Sequence, residues 1–187
     1  MTPTLIILGV LFVICLIIWM IYNGIIGNNN QTKRAWADVL VYERQKIKTL
    51  DALKAEADSY KNFEEGALAK IIGLRSQISA LPEGADASAL SATQSSTQSL
   101  MSSLRLSVEA YPELQASKVL NNLMREIAEQ QENVAASLSI FNASIETFNN
   151  SIQMFPGSFV NNTMNKLKAK ESFKDSQASS SFDNQGA

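Results

Sequence analysis

Apolar side chains recur in the C-terminal half of the chain at steps of four and three residues without a break. They are Leu120, Met124, Ile127, Gln131, Val134, Leu138, Phe141, Ile145, Phe148, Ile152 and Phe155, with Gln131 the one polar member. A 3.5-residue average step keeps a narrow apolar seam on one side of a helix and aims it at a partner helix. The seam begins after Tyr111-Pro112 and stops at Phe155-Pro156-Gly157. Proline holds the residue before it in an extended conformation, and Pro-Gly does not continue a helix. This pattern predicts a long packing helix from about Glu113 to Phe155. Gln131 reads as a register-fixing polar residue, so Gln131→Leu is expected to stabilise the bundle and loosen the specificity of assembly.

Upstream, no proline occurs between Lys33 and Leu81. Trp36, Leu40, Ile47, Leu50, Leu53, Ala57, Tyr60, Leu68, Ile71, Ile72, Leu74 and Ile78 recur at mostly helical intervals, predicting one long amphipathic helix that ends at Leu81-Pro82-Glu83-Gly84. A shorter helix is expected from Asp86 or Ser88 to Glu109, its apolar side formed by Leu90, Thr97, Leu100, Met101, Leu104 and Val108. The Ser-Thr-Gln-rich stretch within it has the composition of a linker, but its continuation into Leu100-Met101, Leu104 and Val108 favours helix. Asn28-Asn29-Asn30 reads as a weak hinge, because asparagine disfavours a helix without forbidding it. Past Pro156-Gly157, Ser158 is expected to cap a short turn. The lysines from Lys166 to Lys170 read as a solvated helix end, and the stretch from Ser176 as flexible.

The first residues differ in kind. From Pro3 to Ile26 no charged side chain appears. About 22 helical residues rise roughly 33 Å, close to the ~30 Å hydrocarbon thickness of a bilayer. Leu5, Ile6, Leu11, Phe12 and Leu16 supply lipid-facing surface, and Trp19 and Tyr22 stand where interfacial aromatics belong. No Lys or Arg precedes the run and no small-residue cleavage site follows a short apolar core, so an uncleaved anchor is expected. Lys33, Arg34, Arg44, Lys46 and Lys48 follow the span. The positive-inside rule then places the N-terminus outside and the body in the cytoplasm.

The fold class expected is all-α: a transmembrane helix followed by an antiparallel bundle of long helices. The division is an anchor at 1–27, a bundle at 28–165 and a basic, then flexible tail at 166–187. Helices of unequal length leave apolar stripe uncovered within one copy, which motivates homo-oligomerisation.

Composition narrows the chemistry. The chain has no histidine and one cysteine, Cys15, inside the apolar run. Ser-His and Cys-His nucleophile pairs, Glu-x-x-His di-iron patterns and nearly all zinc sites are thereby removed. A formal net charge of −2 without a basic face gives no footprint for nucleic acid. Neither Glu64-Glu65 nor Glu126/Glu129 forms a dense acidic cluster. Asn142 and Asn149, beside the seam, read as helix bridges or backbone caps. No catalytic, cofactor or metal residue is assigned. The expected partners are the lipid bilayer, further copies of the chain and an unidentified membrane or cytoplasmic protein.

Several segments together resemble the LemA family of bacterial membrane-anchored proteins. Lys33-Arg34-Ala35-Trp36-Ala37-Asp38-Val39 is similar to the family's opening after its single span, and Ser59-Tyr60, Glu64 and Arg75 match its Gly-Tyr, Glu and Arg positions. Ala110-Tyr111-Pro112-Glu113-Leu114 resembles its Ala-Tyr-Pro-Asp-Leu. Phe141-Asn142, Phe148-Asn149, Ile152 and Phe155-Pro156 match its later spacing, so Trp36, Tyr60, Tyr111, Pro112 and Pro156 stand at motif positions. In place of the family's Asp-Leu-Ile-Pro-Asn-Leu run the chain has Lys48-Thr-Leu-Asp-Ala-Leu53, with Asp51 and Ala52 at the proline and asparagine positions. If that proline serves to kink the helix, the helix here should be straighter. Arginines common in the family's third helix are missing around Asn133 and Leu138. The resemblance implies a helical bundle on a bacterial inner-membrane anchor, without established catalytic activity. Some relatives are linked with organising or forming internal membranes, and others occur beside membrane proteases. A scaffold is therefore expected, with an adaptor or regulator of a membrane protease or signalling protein as the alternative.

Overall fold

Helix α1 runs unbroken from Thr2 to Asp58. It passes through Asn28-Asn29-Asn30 and through Asp51-Ala52, so the asparagines form no hinge and the helix does not break where the family carries proline. The computed structural model describes residues 2–60 and 65–173. Among them the elements that follow are α2 (Glu65–Ser79), α3 (Ala87–Ala110), α4 (Pro112–Gln115), α5 (Lys118–Gln153), α6 (Gly157–Val160) and a π-helical turn, Asn161–Asn165. The described residues contain no strand, and the fold is all-α. Glu64 and the stretch from Ser176 lie outside the described residues.

Two compact units divide the chain, and α1 and α5 contribute to both. The first unit combines the chain up to Ala35 with Ile140–Ser172, and the second is built on Trp36–Ser139.

The second unit is an antiparallel helical bundle. Residue numbers rise along α1 as they fall along α5: Lys46 bonds Gln131, Thr49 bonds Glu126, and Ser117, at the head of α5, bonds Glu56. The same inverse order holds between α1 and the α2 region, where Arg75 pairs with Asp51 at 2.6 Å and Arg44 with Glu83 at 2.9 Å. These last two pairs are exposed and contribute at most about 1 kcal/mol each. The core consists of seams. Leu50, Leu53 and Ala57 of α1 are buried, as are Ile71, Leu74 and Ile78 of α2, Leu90, Leu100 and Leu104 of α3, and Leu120, Ile127 and Val134 of α5.

Two helices expected to be continuous are interrupted. After Asp58, the Ser59 hydroxyl donates to the Glu56 carbonyl at 2.6 Å and the Tyr60 amide to Ala57 at 3.1 Å, which tightens the last turn and ends α1. The break separates α2 from α1, so that the stripe Ile71-Leu74-Ile78 is buried instead of running on into solvent. At Tyr111 the expected break occurs: the residue is extended (φ −124°, ψ 107°), as a residue before proline must be, and Pro112 opens the four-residue α4. The second interruption lies beyond it, at Ala116-Ser117 between α4 and α5. Ser117 then caps α5, its hydroxyl accepting the Leu120 amide at 3.1 Å.

Helix α3 forms despite a Ser-Thr-Gln-rich sequence. Asp86 caps it, accepting the Ser88 and Ala89 amides at 3.0 Å each. These bonds to the ionised form, the Ala89 amide first, hold the Asp86 carboxyl below the usual carboxylate range. Thr93 and Thr97, although buried, donate to the carbonyls of Ala89 and Thr93, four residues back. A hydroxyl satisfied by its own helix can face the core at little cost.

In the first unit Ile25, Phe148, Ile152 and Val160 form a buried cluster, with Ile18, Ile21, Tyr22 and Leu167 packed against it. The π turn ends at Lys166, whose left-handed backbone (φ 53°) directs its amide onto the Asn161 carbonyl.

Candidate functional site

In the second unit the α1 seam carries two charges. Glu43 and Lys46 are both fully buried, and Lys46 Nζ lies 3.0 Å from Glu43 Oε2. The approach meets the distance of an ion pair but not the geometry of a hydrogen bond to either carboxylate oxygen. Lys46 instead directs its hydrogen bond at Gln131 Oε1, 2.6 Å away on α5. Three residues along α1, Thr49 accepts from Gln130 at 2.9 Å, and Glu126 accepts from Thr49 at 3.0 Å and from Gln130 at 3.3 Å. Burial pushes the Glu43 carboxyl up and the Lys46 amine down; their mutual attraction opposes both shifts without cancelling them.

This polar layer changes the reading of Gln131. It is the acceptor for a buried lysine, so Gln131→Leu removes a hydrogen bond to a charged donor, which contributes roughly 1.5–3 kcal/mol. Gln131 is only half-buried, so leucine regains little by burial there. The sequence pattern suggests stabilisation by this substitution; the contact to Lys46 reverses the sign. A lowered thermal midpoint for Gln131→Leu is expected, and a raised one would contradict the assigned bond.

Beside this layer, α3 and α5 border a groove of about 400 Å³ lined by Ser91, Gln94, Met101, Arg105, Ala128 and Gln131, among others. Its lining is mixed and mostly uncharged. Among the described residues no group of three or more Asp, Glu, Cys or His converges as a metal site would require.

In the first unit two asparagines clamp the chain after the π turn. The Asn149 amide donates to the Lys170 carbonyl at 2.8 Å and accepts the Lys170 amide at 2.9 Å. Asn161 makes the same pair of bonds to Leu167, at 2.9 and 3.0 Å. Lys170 lies 4.9 Å above the Phe148 ring and donates to the Thr32 hydroxyl. Its amine is pushed down, first by burial and then by Lys33. The segment 166–170 is thus not a solvated helix end: it has no helical structure, and both Leu167 and Lys170 are packed.

The residues assigned from the sequence fall as follows. Leu120, Ile127, Val134, Leu138, Phe141, Ile145, Phe148 and Ile152 are buried, and Met124 and Gln131 are half-buried. Phe155 is not part of the seam: it is 87% exposed. Helix α5 ends at Gln153, so helical spacing no longer aims Phe155 at a partner. Leu5, Ile6, Leu11, Phe12, Leu16 and Trp19 are exposed and Tyr22 is half-buried. Cys15 is also exposed on this helix. Trp36 is buried, its indole N–H donating to the Pro82 carbonyl at 3.4 Å. Tyr60 donates to Glu56, Tyr111 joins α3 to α4, and Pro156 precedes α6 behind a cis peptide. Sequence reasoning missed the Glu43–Lys46 pair because it followed Ile47 as the apolar position. The signal was available in the steps Trp36, Val39, Glu43, Lys46, Leu50, Leu53, Ala57.

The helix α1 is apolar and long enough at its N-terminal end to cross a membrane, and it leads directly into an all-α bundle. These features define a class of helical-bundle proteins carried on one N-terminal apolar helix. The sequence model of the LemA family matches residues 35–183, and the chain belongs to that family. It is 27% identical over 120 residues to Protein LemA of Metamycoplasma hominis, an alignment covering 64% of this chain. The match spans about half, 54%, of that relative's length.

Proposed function

We propose that this protein is a membrane-anchored structural scaffold. Its apolar N-terminal helix lies in the bacterial inner membrane with the N-terminus outside, and its bundle, facing the cytoplasm, associates with further copies to organise membrane or membrane-protein partners. The observation that carries this reading is the unbroken α1: no linker separates the apolar segment from the helix that supplies the Glu43–Lys46 seam. Part of the polar layer favours a structural role too, since Lys46 and Thr49 of α1 bond Gln131, Glu126 and Gln130 of α5, although both Glu43 oxygens and Gln130 Oε1 have no hydrogen-bond partner. Apolar surface remains for association, with Val41, Ile72, Leu106 and Val119 of the second unit all exposed. The uneven helix lengths argue less for self-association than the sequence suggests, because the break at Ser59 lets α2 pack within the same chain.

Full-length protein extracted in mild detergent is expected to form large, regular particles by light scattering and negative-stain imaging. A uniform monomer would overturn self-association and favour the second reading. That reading is an adaptor or regulator of a membrane protease or signalling protein, and the groove between α3 and α5 supports it as a place to receive a partner segment.

A further inference from the structure

The apolar surface of the first unit continues past the end of α5. Met154, Phe155 and Phe159 are exposed, at 62%, 87% and 62%. A soluble turn rarely presents three large apolar side chains together, and such a patch marks a contact surface. Its position says which contact. The buried residues on either side of the turn, Ile152 and Val160, pack with Ile25, Ile21 and Ile18. Phe155 and Phe159 face Ile14, Ile17 and Ile21 across an apolar groove of about 380 Å³. Counted back from Ile26, Ile14 lies about 18 Å along the helix axis. Side chains packed against Ile14–Ile21 share the depth of those residues in a bilayer.

Several polar groups of this region suit that depth; the exception is the Asn165 side chain, whose amide nitrogen and oxygen are buried without a hydrogen-bond partner. No charged side chain occurs between Glu146 and Lys166. Three backbone donors of the turn are used internally: Met154 N–H to Asn150, Ser158 to Met154 at 2.9 Å, Val160 to Pro156. The Ser151 and Thr163 hydroxyls donate to the carbonyls of Phe148 and Phe159. Hydrocarbon tolerates irregular backbone only where such groups are satisfied within the protein. Charge returns where headgroups would be. Lys170 bonds Thr32, next to Lys33 and Arg34, which brings the 166–170 lysines to the basic flank of the apolar segment.

We propose that the turn 153–165 is embedded in the leaflet nearest the bundle, with lipid acyl chains filling the groove between Phe155, Phe159 and Ile14–Ile21. This rests on the reading of α1 as a membrane anchor. The test uses full-length protein with Cys15→Ser, in vesicles of phosphatidylcholine and phosphatidylglycerol containing doxyl-labelled lipid. Single cysteines at Phe155→Cys or Phe159→Cys carry a nitrobenzoxadiazole label, with Met20→Cys in the apolar segment and Glu132→Cys on the exposed bundle surface as references. The turn labels are expected to be quenched to within about a factor of two of the Met20→Cys label, as shared hydrocarbon depth requires, and the Glu132→Cys label not at all. Quenching at Met20→Cys without quenching at the turn would overturn the proposal and leave the anchor intact. No quenching at Met20→Cys would remove the anchor reading and the proposal with it. Turn labels shielded from aqueous iodide yet unquenched by lipid would assign the patch to a second copy of the chain, against the proposal. Phe155 is largely exposed, so its replacement removes little packing and the fold is expected to survive.

Discussion

Lys46→Met is expected to destabilise the bundle by about 3–5 kcal/mol, the usual cost of removing one partner from a buried ion pair. Methionine fills most of the volume, so the loss is electrostatic: Glu43 stays fully buried with its cation gone. The double variant Glu43→Leu/Lys46→Met removes both charges and is expected to match the parent or exceed it. Gln131 then loses its donor, but it is half-buried beside the groove, where water reaches it. Acidity separates this account from a packing defect. The folded Glu43 carboxyl already titrates above its ordinary 4.5 because burial disfavours the anion. A carboxyl raised in the folded state contributes stability that is complete below the unfolded pKa and is lost as pH rises through the folded one. Removing Lys46 takes away the attraction that lowers it, so the Lys46→Met variant should recover stability as the medium is acidified from about pH 8 to about pH 5. The double variant should show no such recovery. Urea unfolding followed by circular dichroism at both pH values decides it, and a single-variant loss under about 1 kcal/mol would sink the assignment.

The Glu43–Lys46 pair also shows what the sequence conceals. All four principal helices carry a 3.5-residue seam, yet only those on α2 and α5 are apolar enough to read directly. On α3 the seam runs Leu90, Thr93, Thr97, Leu100, Leu104, Ser107, all buried. Threonine at these positions looks like linker composition, and its burial depends on a hydroxyl bond to the helix's own carbonyls. On α1 the seam includes a glutamate and a lysine, residues that are almost never fully buried unless paired. Pairing is a three-dimensional fact: Lys46 depends on Gln131, 85 residues away, and no window along the chain contains both. The element boundaries that sequence did reveal have local causes, namely Asp86 before α3, Pro112 at α4 and Pro156 at α6. The breaks it missed, at Ser59 and Ser117, involve hydroxyl bonds, one at Ser59 and two at Ser117, and both residues look like ordinary surface serines until the partners are known. Phe155 erred in the opposite direction, because periodicity continues in the letters for two residues after the helix has ended.

Gly157→Ala is expected to disrupt the turn that follows α5 and leave the second unit folded. A Cβ at Gly157 would stand 2.0 Å from the Ser151 carbonyl oxygen and 3.1 Å from its carbon. The obstacle is helix backbone, which cannot rotate aside as a flexible side chain would, so α6 must move off the end of α5. That movement pulls Val160 from its place against Ile25, Phe148 and Ile152. Overpacking of this kind costs about 1–3 kcal/mol, occasionally more. The cost is confined to residues that meet at the turn. Hydrogen exchange on the full-length protein should therefore show lost protection around 152–165, with the amides of Ile71, Leu74 and Leu100 unchanged. Because Phe155 and Phe159 flank the glycine, the substitution also shifts both away from Ile14–Ile21, and their labels should lose part of their lipid quenching. Unaltered exchange at 152–165 would mean that the close approach of Gly157 to Ser151 does not hold α6 in place. Loss of protection throughout the second unit would mean that its bundle depends on this turn, contrary to its self-contained seams.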